Sequence, residues 1–231
     1  MLDPRGTGGS DPPADPEAYS LADYVSDLEE LRLHLSLERL NLLGFSHGGM
    51  VAMSYAVAHP ERVERLVLAN TLARFGEAQQ AEAERAIAAR EAEPWHAEAV
   101  AALQAEGRGA YETPEEMGRM WRAMAPVYFA RWDDAAREFV EATSEIGNVE
   151  SLRLFNANTP DLVGDLPGIT APTLVLTGAD DFVCGPSSAR EIAEGIADAR
   201  LVVLPDAGHF TYFEQPERFA AAVGDFIGSS P

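Results

Sequence analysis

The chain has 231 residues, a hydrophobic content of 46% and a formal net charge of −21, from 38 acidic and 17 basic residues. The hydrophobic content is ample for a buried core and argues against disorder, whereas the strong negative charge argues against nucleic acid and anionic membranes as partners, since both bind basic surfaces. All 17 basic residues are arginine, which excludes Schiff-base catalysis and a phosphate-binding P-loop because both need a lysine amine.

The sequence carries no sign of export. Residues 1–6 lack the basic and apolar regions of a signal peptide, and no uncharged stretch approaches the roughly 18 apolar residues of a membrane span. A single cysteine, Cys184, cannot form an intrachain disulfide. We therefore expect a cytoplasmic protein.

The first part of the chain alternates between predicted helices and strands. Ser20, followed three residues later by Asp23, is typical of a helix start. Residues 40–43 and 63–69 are short apolar runs that predict strands, and residues 50–58 between them predict a helix. Such strand–helix–strand units indicate a parallel sheet covered by helices.

The same alternation resumes near the end of the chain. Residues 173–176 and 201–204 are apolar runs bounded by Pro or Gly and predict strands. Residues 187–196 between them predict a helix, and residues 213–227 predict a closing helix. The fold class that follows is α/β, with a mostly parallel sheet flanked by helices.

The middle of the chain has a different composition. Residues 71–165 are rich in Ala, Glu and Arg and predict several helices, for example at residues 78–93, 114–124 and 134–145. We therefore expect a helical cap inserted into an α/β core. The predicted division is residues 1–70 and 166–231 for the core and residues 71–165 for the cap.

A glycine-flanked serine lies at the end of the first predicted strand. Residues 44–48 read Gly-Phe-Ser-His-Gly, which matches G-x-S-x-G, and a predicted helix follows. A tight strand-to-helix turn of this kind exposes the hydroxyl of Ser46 at the carboxyl edge of the sheet. The pentapeptide by itself is also compatible with a plain glycine-rich turn; the strand before it and the helix after it favour a nucleophile.

Two further loops carry the partners that such a nucleophile needs. Asp180 and Asp181 follow the strand that begins at residue 173, and His209 follows the next strand. Because parallel strands bring their carboxyl ends to one edge, these residues are predicted to converge with Ser46. The order Ser, Asp, His along the chain is the one used by α/β-hydrolases.

The chain resembles the α/β-hydrolases of the proline iminopeptidase, lactonase and esterase group. The resemblance spans the chain except residues 71–165. It rests on the loop Asp-Pro-Arg-Gly-Thr-Gly-Gly-Ser at residues 3–10 and on Gly-Gly-Met-Val-Ala at residues 48–52, which continues the turn at Ser46, called the elbow. It also rests on His-Pro-Glu-Arg-Val at residues 59–63, on Leu-Val-Leu-Ala-Asn at residues 66–70, and on the acid and histidine loops at residues 178–181 and 206–209. It implies that Ser46 attacks a carbonyl, His209 transfers the proton and Asp181 orients the imidazole.

The resemblance also implies how the remaining parts of the site are divided. Asp181 is preferred to Asp180 because the family's acid lies three residues after the glycine, and the backbone N–H of His47 supplies one oxyanion hydrogen bond. Neither a cofactor nor a metal is expected, and the implied partner is a small-molecule substrate.

Family members carry a His-Gly-Gly-Pro-Gly-like loop that supplies the second oxyanion donor, and their sheet has about eight strands. In this sequence that loop is not recognisable, and only four later strands are. We therefore expect an N-terminally shortened chain that lacks part of the sheet, the alternative being a short variant completed by a partner subunit.

Other chemically capable residues are interpreted as structural. His34, His59 and His96 lack metal-like spacing and are expected at the surface or at helix ends, and Cys184 is expected to be a small buried residue. The acidic pair Glu115 and Glu116 could bind a substrate amine, as in iminopeptidases, but a solvated surface is favoured. The aromatic residues of the middle segment are expected to form core, with one or two lining a pocket: Trp95, Trp121, Trp132, Tyr128 and Phe129.

The sequence thus predicts a cofactor-independent serine hydrolase of a small carboxylic ester, lactone or amide. A proline iminopeptidase is one alternative, although its elbow usually carries Trp where this chain has His47. A non-catalytic binding protein on the same fold is the other alternative. Serine at the elbow argues against dehalogenases and epoxide hydrolases, which need a carboxylate nucleophile.

Overall fold

The computed structural model describes residues 2–15, 17–144, 148–150 and 160–228. Within these residues, four parallel strands form one sheet in the order in which they occur along the chain. They are β1 (Leu40–Phe45), β2 (Val63–Ala69), β3 (Thr173–Gly178) and β4 (Ala199–Leu204). The predicted α/β class with a parallel sheet is confirmed.

Helices precede, separate or follow the strands. They are α1 (Leu21–His34), α2 (His47–Ala58), α3 (Glu77–Ala88), α4 (His96–Gly107), α5 (Pro114–Met124), α6 (Asp134–Ala142), α7 (Pro186–Gly195), α8 (Thr211–Glu214) and α9 (Pro216–Gly228), with 3-10 turns at Pro60–Arg62, Ala125–Tyr128 and Val163–Gly168. Among the residues that the structure describes, no helix is long and apolar enough to span a membrane.

The sheet is covered on both faces, and alternation along β2 shows how. Leu66 and Leu68 belong to the main core, which also contains Met53 of α2 and Ile192 of α7. Val67, between the two leucines, packs with residues of α9 in a separate cluster. Since successive side chains of a strand point to opposite faces, α2 and α7 cover one face and α9 covers the other.

The burial of the strands follows their place in the sheet. Every residue of β3 is buried, as expected for a central parallel strand covered on both faces. In contrast, β1 alternates between partly exposed and exposed positions over its first half, and Leu43 is 44% exposed. Within the described part of the chain β1 pairs with β2 alone, so it forms one edge of this sheet.

The start of α1 is the predicted one. The Ser20 hydroxyl accepts a hydrogen bond from the Asp23 N–H, and the Asp23 carboxylate accepts one from the Ser20 N–H, so both halves of the capping box are present. By contrast, α2 begins at His47 rather than at residue 50, because the helix starts directly after the turn at Ser46. Gly48 and Gly49, which weaken the helical signal in the sequence, lie in the first turn of this helix.

The closing segment differs from its prediction as a single helix over residues 213–227. The structure has two helices, α8 (Thr211–Glu214) and α9, which begins at Pro216. Gln215 between them has a non-helical backbone, with φ −133° and ψ 55°. Proline disfavours helical geometry in the residue before it, which separates the two helices.

The described residues between β2 and β3 are largely helical, as predicted, but the helix boundaries differ in part. Residues 114–124 form α5 as predicted, whereas α3 ends at Ala88 rather than at residue 93. The helix predicted over residues 134–145 ends at Ala142; its predicted last residue lies outside the described residues. The helix α4 is not among those named from the sequence; it buries Ala99 fully, in a cluster with Val127 and Phe182.

Candidate active site

Ser46 lies in the turn between β1 and α2 with a strained backbone, φ 51° and ψ −121°. A positive φ is uncommon for a residue with a Cβ and is found where surrounding structure enforces it. Two contacts do so here. The Ser46 N–H donates to the carbonyl oxygen of Ala69 at 3.0 Å, and the hydroxyl of Thr71 donates to the Ser46 carbonyl oxygen at 2.7 Å. The turn is therefore held by the end of β2.

The glycines around Ser46 are not equivalent. A Cβ on Gly44 would collide with the carbonyl oxygen of Gly48, and a Cβ on Gly49 would collide with the side chain of Thr71. A Cβ on Gly48, the last residue of the pentapeptide, would meet no atom within 4 Å. Close packing against α2 thus requires glycine at residue 44, close packing against Thr71 requires it at residue 49, and residue 48 has space for a side chain.

Asp181 follows β3 and its carboxylate is almost completely buried. One oxygen, Oδ1, accepts hydrogen bonds from the N–H groups of Val183 and Cys184, both at 3.0 Å. The other, Oδ2, accepts a hydrogen bond from the Asn70 amide nitrogen at 2.9 Å and lies 3.0 Å from Nδ1 of His209. Burial alone would raise the pKa of Asp181, but His209 and these hydrogen bonds outweigh it and hold the pKa below its ordinary value.

His209 completes the line of side chains. Its Nε2 lies 3.1 Å from Oγ of Ser46, on the opposite side of the ring from the nitrogen that faces Asp181. Its backbone N–H donates to the carbonyl oxygen of Tyr128 at 2.7 Å. The structure thus brings Ser46, Asp181 and His209 together at the carboxyl edge of the sheet. Asp180 is exposed, and it is Asp181 that contacts the imidazole.

His47 is the first residue of α2, at the positive end of the helix dipole. Its ring packs edge-on against Tyr24, with the ring centroids 5.0 Å apart. Burial lowers the pKa of His47 to about 4, so the ring is neutral at ordinary pH. The structure places its backbone beside Ser46, as the sequence implies.

Aromatic rings surround the His209 imidazole. Phe45, Phe210 and Tyr128 have ring centroids 5.1, 5.3 and 5.7 Å from it. Of these three, the sequence interpretation named only Tyr128 as a pocket candidate. The position of Phe45 within the pentapeptide and that of Phe210 next to His209 were the available signals. The rings make the surroundings of the imidazole apolar, apart from Asp181 and Ser46.

The aromatic residues of the middle segment mostly form core. Phe129 is 1% exposed and contacts Trp132, and Trp121 packs edge-on against Tyr128. Trp95 joins a cluster with Phe182, the residue that follows Asp181. The expected core role is confirmed, with Tyr128 as the member nearest the site.

Cys184 is buried, as expected, and burial raises the pKa of its thiol well above the ordinary value. Among the described residues, one trio of side chains, Asp181, Cys184 and His209, has possible metal-ligand atoms within 4.8 Å of one another. Two of its members already hydrogen-bond to each other, and the thiolate that a metal needs is disfavoured by burial. The trio is therefore a poor metal site.

The remaining candidates lie at helix ends. His34 is the last residue of α1, His59 follows α2, and His96 begins α4 with Nε2 3.1 Å from the carbonyl oxygen of Ile87. Glu115 is exposed on the first turn of α5. The expectation of surface or helix-end positions is confirmed for these residues.

Glu116 has a local structural partner. Its carboxylate accepts hydrogen bonds from the N–H groups of Glu112 and Thr113 at 2.8 and 3.3 Å, and the Thr113 hydroxyl accepts one from the Glu116 N–H at 3.2 Å. This capping box stabilises the start of α5. The carboxylate is thus engaged with its own helix terminus.

Comparison with known proteins supplies the family. The family model of the α/β hydrolase fold matches residues 1–216. A proline iminopeptidase of Levilactobacillus brevis is 26% identical to this chain over 99% of the chain and 78% of its own length. Its counterpart from Lactobacillus helveticus is 29% identical over 98% of this chain and 79% of its own length.

Solved structures agree. A hydrolase from Pseudomonas aeruginosa PA01 is 34% identical, with a TM-score of 0.73, and the match covers 98% of this chain and 78% of that one. The enol-lactonase from Burkholderia xenovorans LB400 is 30% identical, with a TM-score of 0.71 over 98% of this chain and 79% of that one. The chain therefore belongs to the α/β-hydrolase fold family and is an enzyme of the hydrolase class.

Proposed function

We propose that the chain is a serine hydrolase of small carboxylic esters, lactones or amides, with Ser46 as nucleophile, His209 as general base and Asp181 as the orienting acid. The observation that supports the proposal is a chain of two hydrogen-bond contacts through the His209 ring. Oγ of Ser46 lies 3.1 Å from Nε2 of His209, and Nδ1 of His209 lies 3.0 Å from Oδ2 of Asp181. A nucleophile within reach of a base that is itself oriented by a third group is the arrangement that acyl transfer needs.

The proposed reaction proceeds in two halves. Oγ of Ser46 attacks the substrate carbonyl as its proton passes to Nε2 of His209; the tetrahedral intermediate then collapses to an acyl-enzyme while His209 returns the proton to the leaving group. Water, activated by the same imidazole, attacks the acyl-enzyme and releases the acid. Asp181 stabilises the imidazolium, since its carboxylate is ionised and hydrogen-bonded to Nδ1.

Negative charge on the substrate oxygen needs a hydrogen-bond donor near Ser46. We assign this role to the backbone N–H of His47, because it lies at the first turn of α2, where the helix dipole favours negative charge. One such donor contributes about 3 kcal/mol to transition-state stabilisation. The role rests on the backbone; the neutral, partly buried imidazole of His47 packs on Tyr24.

The helices between β2 and β3 are proposed to form a cap, residues 71–165, on a core of residues 1–70 and 166–231. The support is the position of Tyr128, whose ring lies beside the His209 imidazole and whose carbonyl oxygen accepts the His209 N–H. A segment that contacts the base also helps to shape the substrate pocket. The aromatic surroundings, Phe45 and Phe210 included, favour a small substrate with an apolar group at the carbonyl.

An iminopeptidase that cleaves N-terminal proline is the second candidate. It is favoured by the proline iminopeptidases of two lactobacilli among the relatives, whereas His47, in place of the usual Trp, counts against it. Parallel assays of proline arylamides and short p-nitrophenyl acyl esters distinguish the two. Faster turnover of esters supports an esterase or lactonase function, and faster turnover of proline arylamides supports an iminopeptidase function.

A fluorophosphonate probe tests the nucleophile directly. We expect stoichiometric labelling, located on Ser46 by peptide mass spectrometry, and loss of labelling and of ester turnover in Ser46→Ala. Ser36→Ala is the matched control, because Ser36 is an exposed serine that also has a positive φ. Labelling that persists in Ser46→Ala would refute the proposal. A folded wild-type protein that binds ligand without labelling or turnover would instead identify a non-catalytic member of the fold.

A further inference from the structure

Asn70 is a buried polar residue between the two loops that carry the acid and the base. It follows β2 directly, is completely buried and has a positive φ of 46°. Its backbone N–H donates to the carbonyl oxygen of Leu176 at 2.8 Å. Its side-chain nitrogen donates to Oδ2 of Asp181 at 2.9 Å and to the carbonyl oxygen of Gly208 at 3.2 Å. One amide group therefore links the acid loop to the histidine loop.

A second buried residue sets the orientation of this amide. The hydroxyl of Thr211, itself completely buried, donates to Oδ1 of Asn70 at 2.5 Å. With its oxygen held by Thr211, the amide presents its nitrogen to Asp181. The reverse orientation would place the amide oxygen against a carboxylate oxygen and leave the Thr211 hydroxyl facing a donor, which is costly in a buried site.

The contacts of Asp181 show what the amide achieves. Oδ1 is held by two backbone N–H groups, those of Val183 and Cys184. Oδ2 has two side-chain neighbours, Asn70 and His209. Asn70 therefore supplies the second fixed contact of Oδ2, and rotation of the carboxylate away from the imidazole would break it.

We propose that Asn70, locked by Thr211, is a positioning residue that holds the Asp181 carboxylate in the plane from which it accepts the Nδ1–H of His209. The kinetic part of this inference rests on the proposed function; the effect on the Nδ1–H hydrogen bond does not. A merely space-filling Asn70 would affect stability without separating kcat from KM and without altering that hydrogen bond.

The first test is kinetic and uses variants that keep the backbone unstrained. Asn70→Gly removes the amide and tolerates a positive φ, and Thr211→Val removes the hydroxyl with nearly unchanged shape. We expect Asn70→Gly to lower kcat for a p-nitrophenyl ester by about 10- to 100-fold, the size of loss seen when the hydrogen-bond partners of metal-ligating side chains are removed, with KM within about twofold. Ser36→Gly, at another positive φ of 55° on the surface, is the matched control and should leave kcat unchanged.

A double-mutant cycle tests whether Thr211 acts through its hydrogen bond to Asn70. Because Thr211 acts through Asn70, Thr211→Val should lower kcat in the wild-type background and have little further effect in Asn70→Gly. Independent roles would instead give losses that multiply, and this result would overturn the assignment of Thr211. Should Asn70→Gly fail to fold, Thr211→Val alone decides, since an unchanged kcat in that folded variant would also overturn it.

The second test does not need turnover. Proton NMR should be used to follow the Nδ1–H resonance of His209 in the low-field region, with its absence in His209→Gln as the assignment. We expect this resonance to move upfield or broaden in Asn70→Gly and Thr211→Val. An unchanged resonance together with kcat within about twofold of wild type overturns the inference. If Ser46→Ala retains full turnover, the proposed function fails, and the resonance still decides the role of Asn70.

Discussion

The backbone N–H of His209 donates a 2.7 Å hydrogen bond to the carbonyl oxygen of Tyr128. The loop that carries the candidate base is thereby fastened to the helical segment between β2 and β3. Glu214 makes a second connection, because its two carboxylate oxygens accept the N–H groups of Gly208 and Ala130, both at 2.7 Å. The position of the imidazole thus depends on a segment that is distant in sequence.

Glu214→Gln should weaken this connection. An amide offers one acceptor oxygen, so one of the two N–H groups at Gly208 and Ala130 would face an NH₂ group instead. We expect the free energy of unfolding to fall by about 1–3 kcal/mol, the cost of a buried group left without its partner, and kcat to fall with it. Urea unfolding measures the first effect. Glu217→Gln, an exposed neighbour on α9, is the control; equal stability losses in both variants would contradict the prediction.

Replacement of the acid should reduce turnover far more than replacement of its neighbour. Asp181→Asn keeps the shape but presents an amide to Nδ1 of His209, which favours the wrong tautomer. We expect kcat to fall by about 10⁴-fold, as when the orienting acid of a serine protease is replaced by its amide. Asp180→Asn, at an exposed position, should stay within about twofold of wild type. The reverse ranking in a steady-state ester assay would assign the acid to Asp180.

The two glycines of the elbow pentapeptide should respond differently to alanine. Gly44→Ala would push a Cβ into the carbonyl oxygen of Gly48, so we expect a loss of about 3 kcal/mol in the free energy of unfolding. Gly48→Ala meets open space in the first turn of α2, and we expect a change of less than about 1 kcal/mol. Thermal and urea unfolding provide the measurements. Similar losses in the two variants would show that the packing argument is wrong.

Acidification should destabilise the protein through His47. The pKa of this histidine is about 4 in the folded chain, against an ordinary value of 6.5. Between these two values the unfolded chain binds more protons at this position than the folded chain, so the free energy of unfolding falls as the pH falls through this window. At about 1.4 kcal/mol per pKa unit, the whole effect is about 3 kcal/mol.

The variant His47→Gln removes this titration. We expect its stability to decline less than that of the wild type between pH 7 and pH 4.5, as measured by urea unfolding at both values. His34→Gln, at an exposed position at the end of α1, should follow the wild type. Parallel declines in the wild type and His47→Gln would contradict the assignment.

Several features could be predicted from the sequence because their causes are local or follow from chain topology. The apolar run of residues 63–69 and the capping box of Ser20 and Asp23 form as predicted. The approach of Ser46, Asp181 and His209 was also predictable, since parallel strands bring their carboxyl ends to one edge. Identity to known hydrolases then shows the family and the hydrolase class.

Other features depend on side chains that meet only after folding. Asn70 follows an apolar strand and gives no local signal that its amide will reach Asp181. Glu214 likewise gives no signal that it will accept the N–H groups of Gly208 and Ala130. The same holds for the difference between Gly44 and Gly48, which arises from the distance of each Cα to the opposing backbone.

The serine, acid and histidine of the candidate site were therefore accessible from spacing, order and strand direction in the sequence. The groups that hold them in place were decided by the tertiary structure alone. The physical reason is that a hydrogen bond or a close packing contact depends on distances of a few tenths of an ångström between residues far apart in the chain, and periodicity and composition carry no information about such distances.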